Sequence, residues 1–483
     1  MEPLPAWGTG DLPEPPPAPW RNAARVIGSG AILLAFSLGA GEWLLGPAAT
    51  ARYGAAILWI ATASIVLQAF LTTEMARYTL YTGEPIFTGF MRTAPGPAFW
   101  GWIYAGLHLL QIGWPGWALA AATAIAALFV GRVPDEGDRV VVLYVGYLTF
   151  LVSILLVLLG ERVEKTLEYA ERLMIGWVLA FLLLAGLFLA PAEVWSTVGL
   201  GFIAPLLGAR LFPTDVDWFL LAGFAAYSGW GGTNATLTYW IRDKGFGMGG
   251  TVGYAPATMG RQKVLVSQAG IVFPPSEDNR RRWRGWWRYL TVEQWWIWAP
   301  GSLVAMALPA LIAIAFIPPG TVLGGYGIGA HLAGALAERY GPVLWGLTLL
   351  TGFWILFSTQ LANAGGFASV TFEILWTASG RLRGWRGGDG RAVFYGALLV
   401  FTLWGCAAIA LADPLTLILI GANVAGANLA IVSAHTLVVN RKFLPRELRP
   451  PLWREIGLAL SALFFLALAL LALLQRIGSA PSG

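Results

Sequence analysis

Eleven long apolar runs dominate this chain and fix what it can become. They cover roughly residues 26–51, 55–80, 98–131, 139–160, 166–190, 216–241, 291–317, 342–376, 392–411, 413–438 and 455–475. Each meets the roughly 20 residues that a helix needs to cross a hydrocarbon core. Hydrophobic residues make up 57% of the 483 and charged residues only 12%. A soluble domain carries about 25% charge, so the runs cannot be packed away inside a water-soluble enzyme. The expected class is an all-α polytopic membrane protein.

Lys and Arg set the orientation. With the first end inside, 25 of the 31 basic residues fall in cytoplasmic segments, nine of them between Arg242 and Arg288. The third run is long enough to be two helices, but splitting it would invert every later loop and destroy that bias. One tilted helix is therefore expected there, giving eleven spans in a cell (inner) membrane, with the N-terminus cytoplasmic and the C-terminus outside. The Pro-rich stretch 1–20 reads as a disordered cytoplasmic tail rather than a signal peptide, lacking a basic start and an apolar centre. The tryptophans near span ends, as at Trp283, Trp286, Trp287, Trp295 and Trp296, read as an interfacial aromatic belt.

Several chemistries are excluded. One cysteine, Cys406, and three histidines, His108, His331 and His435, allow neither an internal disulfide nor a Cys/His zinc cage. No resident cofactor is expected. No phosphate loop of the Gly-Lys-Ser/Thr type occurs, so a nucleotide-driven pump is not indicated. The basic loop 242–290 reads as a membrane-surface segment, not a nucleic-acid site. The expected partners are a lipid bilayer and a small inorganic ion, and no enzyme activity is expected.

The most informative pattern lies in spans one and six. Gly39, Ala40 and Gly41 sit at the middle of the first, followed by Glu42; Gly229, Gly231 and Gly232 sit at the middle of the sixth, followed by Thr233 and Asn234. Glycine costs about 1 kcal/mol in a helix interior, and unwound backbone at membrane depth is tolerated only inside protein or along a watery cavity. Two such interruptions five spans apart mark an inverted-repeat transporter with its substrate between the breaks. The repeats would be 21–190 (spans 1–5) and 191–440 (spans 6–10), and 441–483 would hold an added span 11. Close helix packing by small residues would explain either glycine cluster alone; the two together, at matching positions and each followed by a polar residue, favour broken helices.

The stretch Gly39-Ala40-Gly41-Glu42-Trp43, with Tyr53-Gly54 after it, resembles the first span of the NRAMP family of divalent-metal transporters, which carries Asp-Pro-Gly-Asn-Trp and a later Tyr-Gly. Gly231-Gly232-Thr233-Asn234 stands where that family has Met-Pro-His-Asn. The resemblance implies a LeuT-like fold with a 5+5 inverted repeat, broken helices one and six, and an eleventh helix. It also implies a lost metal site. Gly39 replaces the metal-binding Asp, Glu42 the Asn, Gly231 the Met and Thr233 the His.

What remains at the breaks is backbone. Helix N-termini there present unpaired N–H groups and about half a positive charge each, a setting for an anion. Ser37, Tyr227, Ser228, Thr233 and Asn234 join Gly39, Ala40, Gly41, Glu42, Gly229, Gly231 and Gly232 as candidate substrate contacts. Bicarbonate is the first candidate. Glu42 would repel it unless neutralised by H+ or Na+, which makes it a coupling candidate as well as a helix cap. Ser358 and Thr359 in span eight are candidates for a Na+ site, against simple back-bonding to their own helix. His108 and Gln111 share a face of span three and are a possible relay or pocket pair. Asn423 and Asn428 in span ten point about 140° apart, so only one can face a pocket. The competing readings are a divalent-cation transporter of altered selectivity, taking Mg²⁺ or a similar hard ion, and a membrane receptor that has lost transport.

Overall fold

The computed structural model describes residues 4–16, 39, 41–229, 231, 233–252, 269–385 and 388–478, without side chains for 160–172 and 175. Among these, eight helices are long and apolar enough to cross a membrane: Ala55–Thr82, Pro97–Val130, Glu136–Leu158, Glu277–Phe316, Val343–Ala378, Arg391–Ala408, Pro414–Phe443 and Leu452–Gly478. They contain spans two, three, four, seven, eight, nine, ten and eleven. Span five lies in the helix Gly160–Leu189. Span six is the interrupted pair Trp218–Tyr227 and Leu237–Asp243. The first half of span one lies outside the described residues, so the total of eleven remains an expectation.

The third run crosses as one unit but is not one continuous helix. It divides into Pro97–Ile112 and Gly116–Val130. Pro115 has no N–H to donate, and its ring collides with the carbonyl four residues back, so the helix must stop before it. Past span five the chain turns by 118° into a short helix, Ala192–Gly201, at Pro191.

Two large apolar clusters form the interior. One joins side chains of spans one, two, three, five, six, seven, eight, ten and eleven, with Tyr78, Phe224, Met306 and Leu429 fully or almost fully buried. The other joins spans three, four, eight and nine, through Phe150, Phe367, Phe394 and Phe401. Outward faces carry exposed apolar side chains such as Phe129, Tyr144, Phe188, Leu399 and Leu463. Water would penalise such surface heavily and lipid does not. The chain is an integral membrane protein.

Two expectations fail at one end of the bundle. Residues 4–16 are not a disordered tail. Gly8–Thr9 pair in parallel with Ile271–Val272. Leu12 is fully buried; its N–H donates to Asn279 Oδ1 at 3.0 Å, and its carbonyl accepts from Arg282 at 2.7 Å. A Pro-rich segment cannot build its own ladder, but its extended backbone fits a waiting edge and a helix. That helix, Glu277–Thr291, is capped by Ser276, which accepts from Asn279 N–H at 3.2 Å. Its Trp283 and Trp286 are buried, and Trp286 donates to the Pro13 carbonyl at 2.9 Å. These two indoles serve the strap and not an aromatic belt; Trp296, by contrast, is well exposed.

Candidate functional site

Span six loses its helix where its glycines begin. The first half is capped by Asp217, which accepts from Leu220 N–H at 3.0 Å. It ends at Ser228, after which Gly229 (φ +98°) and Gly231 (φ +61°) hold left-handed backbone. Side-chain-bearing residues pay about 1–2 kcal/mol for such angles. A short turn, Asn234–Thr236, then starts the second half. Span one passes through a π-type turn, Gly41–Leu45, before the helix Gly46–Tyr53. The two interruptions touch. A Cβ at Gly41 would overlap the Tyr227 carbonyl, and one at Gly231 would stand 3.3 Å from the Tyr227 ring.

Glu42 joins them. Its side chain is 1% exposed. One carboxylate oxygen accepts from Gly39 N–H at 3.0 Å, the other from Gly229 N–H at 3.1 Å. A single carboxylate therefore bridges the backbone of both breaks. No ion pair forms at Glu42 among the described residues, so its only partners here are N–H dipoles. Thr359 faces the same place: its Oγ1 and Glu42 Oε2 lie 3.8 and 3.9 Å from the position of a Cβ on Gly39.

A polar frame surrounds this contact. Gln68 in span two donates to the Ser228 carbonyl at 2.7 Å and to Ser64 Oγ at 2.9 Å, and accepts from Asn234 Nδ2 at 3.0 Å. Ser64 in turn donates to the Ala225 carbonyl. On the other side Gln111 donates to the Gly231 carbonyl at 3.3 Å and accepts from Asn428 Nδ2 at 2.9 Å. Tyr227 stacks on Trp117 at 5.7 Å between centroids. The carbonyl oxygens of Asn234 and Asn428 are buried with no hydrogen-bond partner.

The sequence-derived residues divide. Gly39, Gly41, Glu42, Tyr227, Ser228, Gly229, Gly231, Asn234, Gln111, Asn428 and Thr359 gather at the two breaks. Thr233 accepts from Thr236 through its carbonyl at 2.8 Å. Ser228 and Ser358 are back-bonded to Phe224 and Ile355, and Thr359 also donates to Ile355. His108 sits apart, against Thr371 and Phe367. Asn423 turns away to the Phe219 and Leu419 carbonyls. Ser37, Ala40 and Gly232 lie outside the described residues. Gln68, Ser64 and Trp117 were missed by sequence reasoning. A single Gln in an apolar span carries no pattern; its spacing from Ser64, four residues back on the same helical face, is the one available signal.

The arrangement offers N–H donors rather than a ligand cage. No group of three His, Cys, Asp or Glu that could hold a metal exists among the described residues. Trp43 borders a cleft of about 20 Å³ with Ile328, Gly352 and Leu356, room for roughly one water. Farther along, ion pairs tie span ends together. Arg242 binds Glu373 at 2.8 Å between spans six and eight, and Glu74 holds both Arg77 and Arg454, the latter at 3.1 Å, between spans two and eleven.

No protein-family model matches the chain, and no curated protein does. Solved structures do. A manganese transporter of Eremococcus coleocola, in complex with an aromatic bis-isothiourea substituted compound, is 18% identical with a TM-score of 0.65, covering 99% of this chain and 92% of that one. A single-residue variant of the same transporter gives 17% and 0.64 over the same shares. The likeness is one of fold, and it establishes the LeuT-like class.

Proposed function

We propose that the chain is a secondary transporter, related to the NRAMP transporters, that carries a small inorganic anion in symport with a monovalent cation. Bicarbonate is the first candidate. The observation that carries this reading is the Glu42 bridge. The Glu42 carboxyl lies between the breaks and accepts an N–H from each. Bicarbonate presents the same planar O–C–O edge to the same N–H groups.

The mechanism follows from competition. While Glu42 is charged it keeps the Gly39 and Gly229 N–H groups for itself and repels a second anion. A proton, or a Na+ beside the Thr359 hydroxyl, neutralises it and frees those donors. Substrate and cation then occupy the site together, which is what couples their fluxes. The Arg242–Glu373 and Glu74–Arg454 pairs supply closures that open and reform as the two repeats rock around the site. The basic bias puts these pairs, and the strap at 4–16, on the cytoplasmic face of the inner membrane.

One observation favours a second reading. The unpartnered carbonyl oxygens of Asn234 and Asn428, with Glu42, are hard ligands of the kind Mg²⁺ takes, and the structural relative is by its name a manganese transporter. N–H donors at the breaks oppose a cation. Uptake by liposomes containing the full chain separates the two, with Mn²⁺, Mg²⁺ and bicarbonate each offered with and without a Na+ or pH gradient. Gradient-driven bicarbonate accumulation without metal uptake is expected. Metal accumulation without bicarbonate uptake would install the second reading.

A further inference from the structure

Spans seven and eleven leave the polar zone side by side. The helix Glu277–Phe316 carries its arginines up to Arg288 and then, apart from buried Glu293, no charge as far as Phe316. Leu452–Gly478 carries Arg454 and Glu455 in its first turn and no further charge until Arg476. Phe70 of span two packs edge-on against both Trp295 and Trp453, at 4.8 and 5.8 Å between centroids, and so holds the two helix starts together. Trp296 and Trp453 are 73% and 55% exposed, as indoles at a headgroup boundary are. An open groove of about 580 Å³ lies here, lined by Trp287, Arg288, Thr291, Val292, Trp296 and Arg454.

The charge at this groove does not balance. Arg454 is 5% exposed. Glu74 accepts from it at 3.1 Å, but the same carboxylate also accepts from Arg77 Nε at 2.6 Å and from Arg77 Nη2 at 3.1 Å. Both guanidinium groups lie over the Trp287 ring, 3.8 Å (Arg77) and 4.9 Å (Arg454) from its centre. Glu74 and Arg77 are the charged groups that act on Arg454. Two arginines on one carboxylate leave a positive charge without an anion at a buried place, which is costly. Arg288 adds a second: it is exposed and forms no ion pair among the described residues. Glu455 does not compensate, since Arg441 occupies both its oxygens, at 3.0 and 2.6 Å.

Charge and apolar wall together name the occupant. A free anion would answer the arginines and leave Val292 and Trp296 uncovered; a neutral lipid would cover the wall and leave the charge. We propose that this groove binds one anionic glycerophospholipid, with its phosphodiester at Arg288 and Arg454 and an acyl chain along Val292 and Trp296. Basic pockets between spanning helices take such headgroups. Arg454 makes one hydrogen bond among the described residues, to Glu74, so the rest of its planar fork is free to grip a phosphate. The lipid then sits against the Glu74–Arg454 contact and braces span eleven on span two.

The site does not depend on which substrate is carried, so it is tested without one. Thermal unfolding of the full chain in dodecyl maltoside is followed as dioleoylphosphatidylglycerol, dioleoylphosphatidylcholine or inorganic phosphate is added. A ligand that binds the folded state raises the midpoint saturably. Wild type should show this rise with phosphatidylglycerol, and much less with either of the others. Arg288→Gln should increase the half-saturating concentration at least about fivefold, as loss of a charge-assisted hydrogen bond does. Arg454→Lys, which keeps the charge beside Glu74 but loses the fork, should increase it severalfold. Arg284→Gln removes an exposed arginine of the same helix that does not line the groove and should respond as wild type. Equal rises with both lipids overturn the assignment, and so does a phosphate response as large as that to phosphatidylglycerol. Arg284→Gln and Arg288→Gln changing the response equally would reduce it to general surface charge and overturn it too.

Discussion

Glu42 is the residue on which both halves of the site depend, and its neighbours show why the glycines around it cannot be replaced. Gly41 lies against the Tyr227 carbonyl and Gly229 holds φ +98°. Gly41→Leu should abolish uptake, because overpacking of this kind costs about 1–3 kcal/mol and moves the break as well. Glu42→Gln keeps the shape and removes the charge; it should still pass the anion down its own gradient but no longer concentrate it against one. Gln68→Leu should lower stability by roughly 1–3 kcal/mol, read as a reduced unfolding midpoint, because the buried Ser228 carbonyl and Asn234 amide lose their partner. At this scale the sequence was legible where chemistry is written locally, as in Gly39 to Glu42 and Gly229 to Asn234. Gln68 was not, since its significance lies in which distant spans pack beside it.

Elements were legible by length and hydrophobicity. The runs that became spans two, four, eight, nine, ten and eleven coincide with helices to within a few residues at most ends. The departures came from proline. Pro115 interrupts the third run, and the Pro-rich segment 4–16 finds its strand partner at Ile271–Val272, far along the chain. No local pattern announces such a pairing. Leu12→Ala should loosen the strap by about 2–4 kcal/mol, seen as faster limited proteolysis within residues 4–16 while the spanning helices stay intact. Glu373→Gln should leave Arg242 with Asp243 as a charge partner but without the buried pair to span eight, a loss of about 1.5–3 kcal/mol. Thiol labelling at an engineered cysteine near the ends of spans six and eight should then speed up.

Across the whole molecule, the breaks of spans one and six meet at a contact between backbone dipoles and one carboxyl group, where a metal transporter of this fold would need a ligand set. The resemblance in span one was enough to expect the fold, and the replaced motif residues were enough to doubt the metal. Which N–H groups Glu42 would occupy lay beyond reach, because that depends on how spans one and six meet. The central claim is that a small anion and the Glu42 carboxylate compete for the same two N–H groups. Its most direct test is the equilibrium affinity of the full chain for labelled bicarbonate between about pH 7 and about pH 9, with and without Na+. If one proton enters with each anion, wild-type affinity falls by up to about tenfold per pH unit once Glu42 is charged; if Na+ is the partner, it falls on Na+ removal instead. Glu42→Gln should bind with an affinity that ignores both variables. Equal responses to pH and Na+ in wild type and Glu42→Gln would contradict the account.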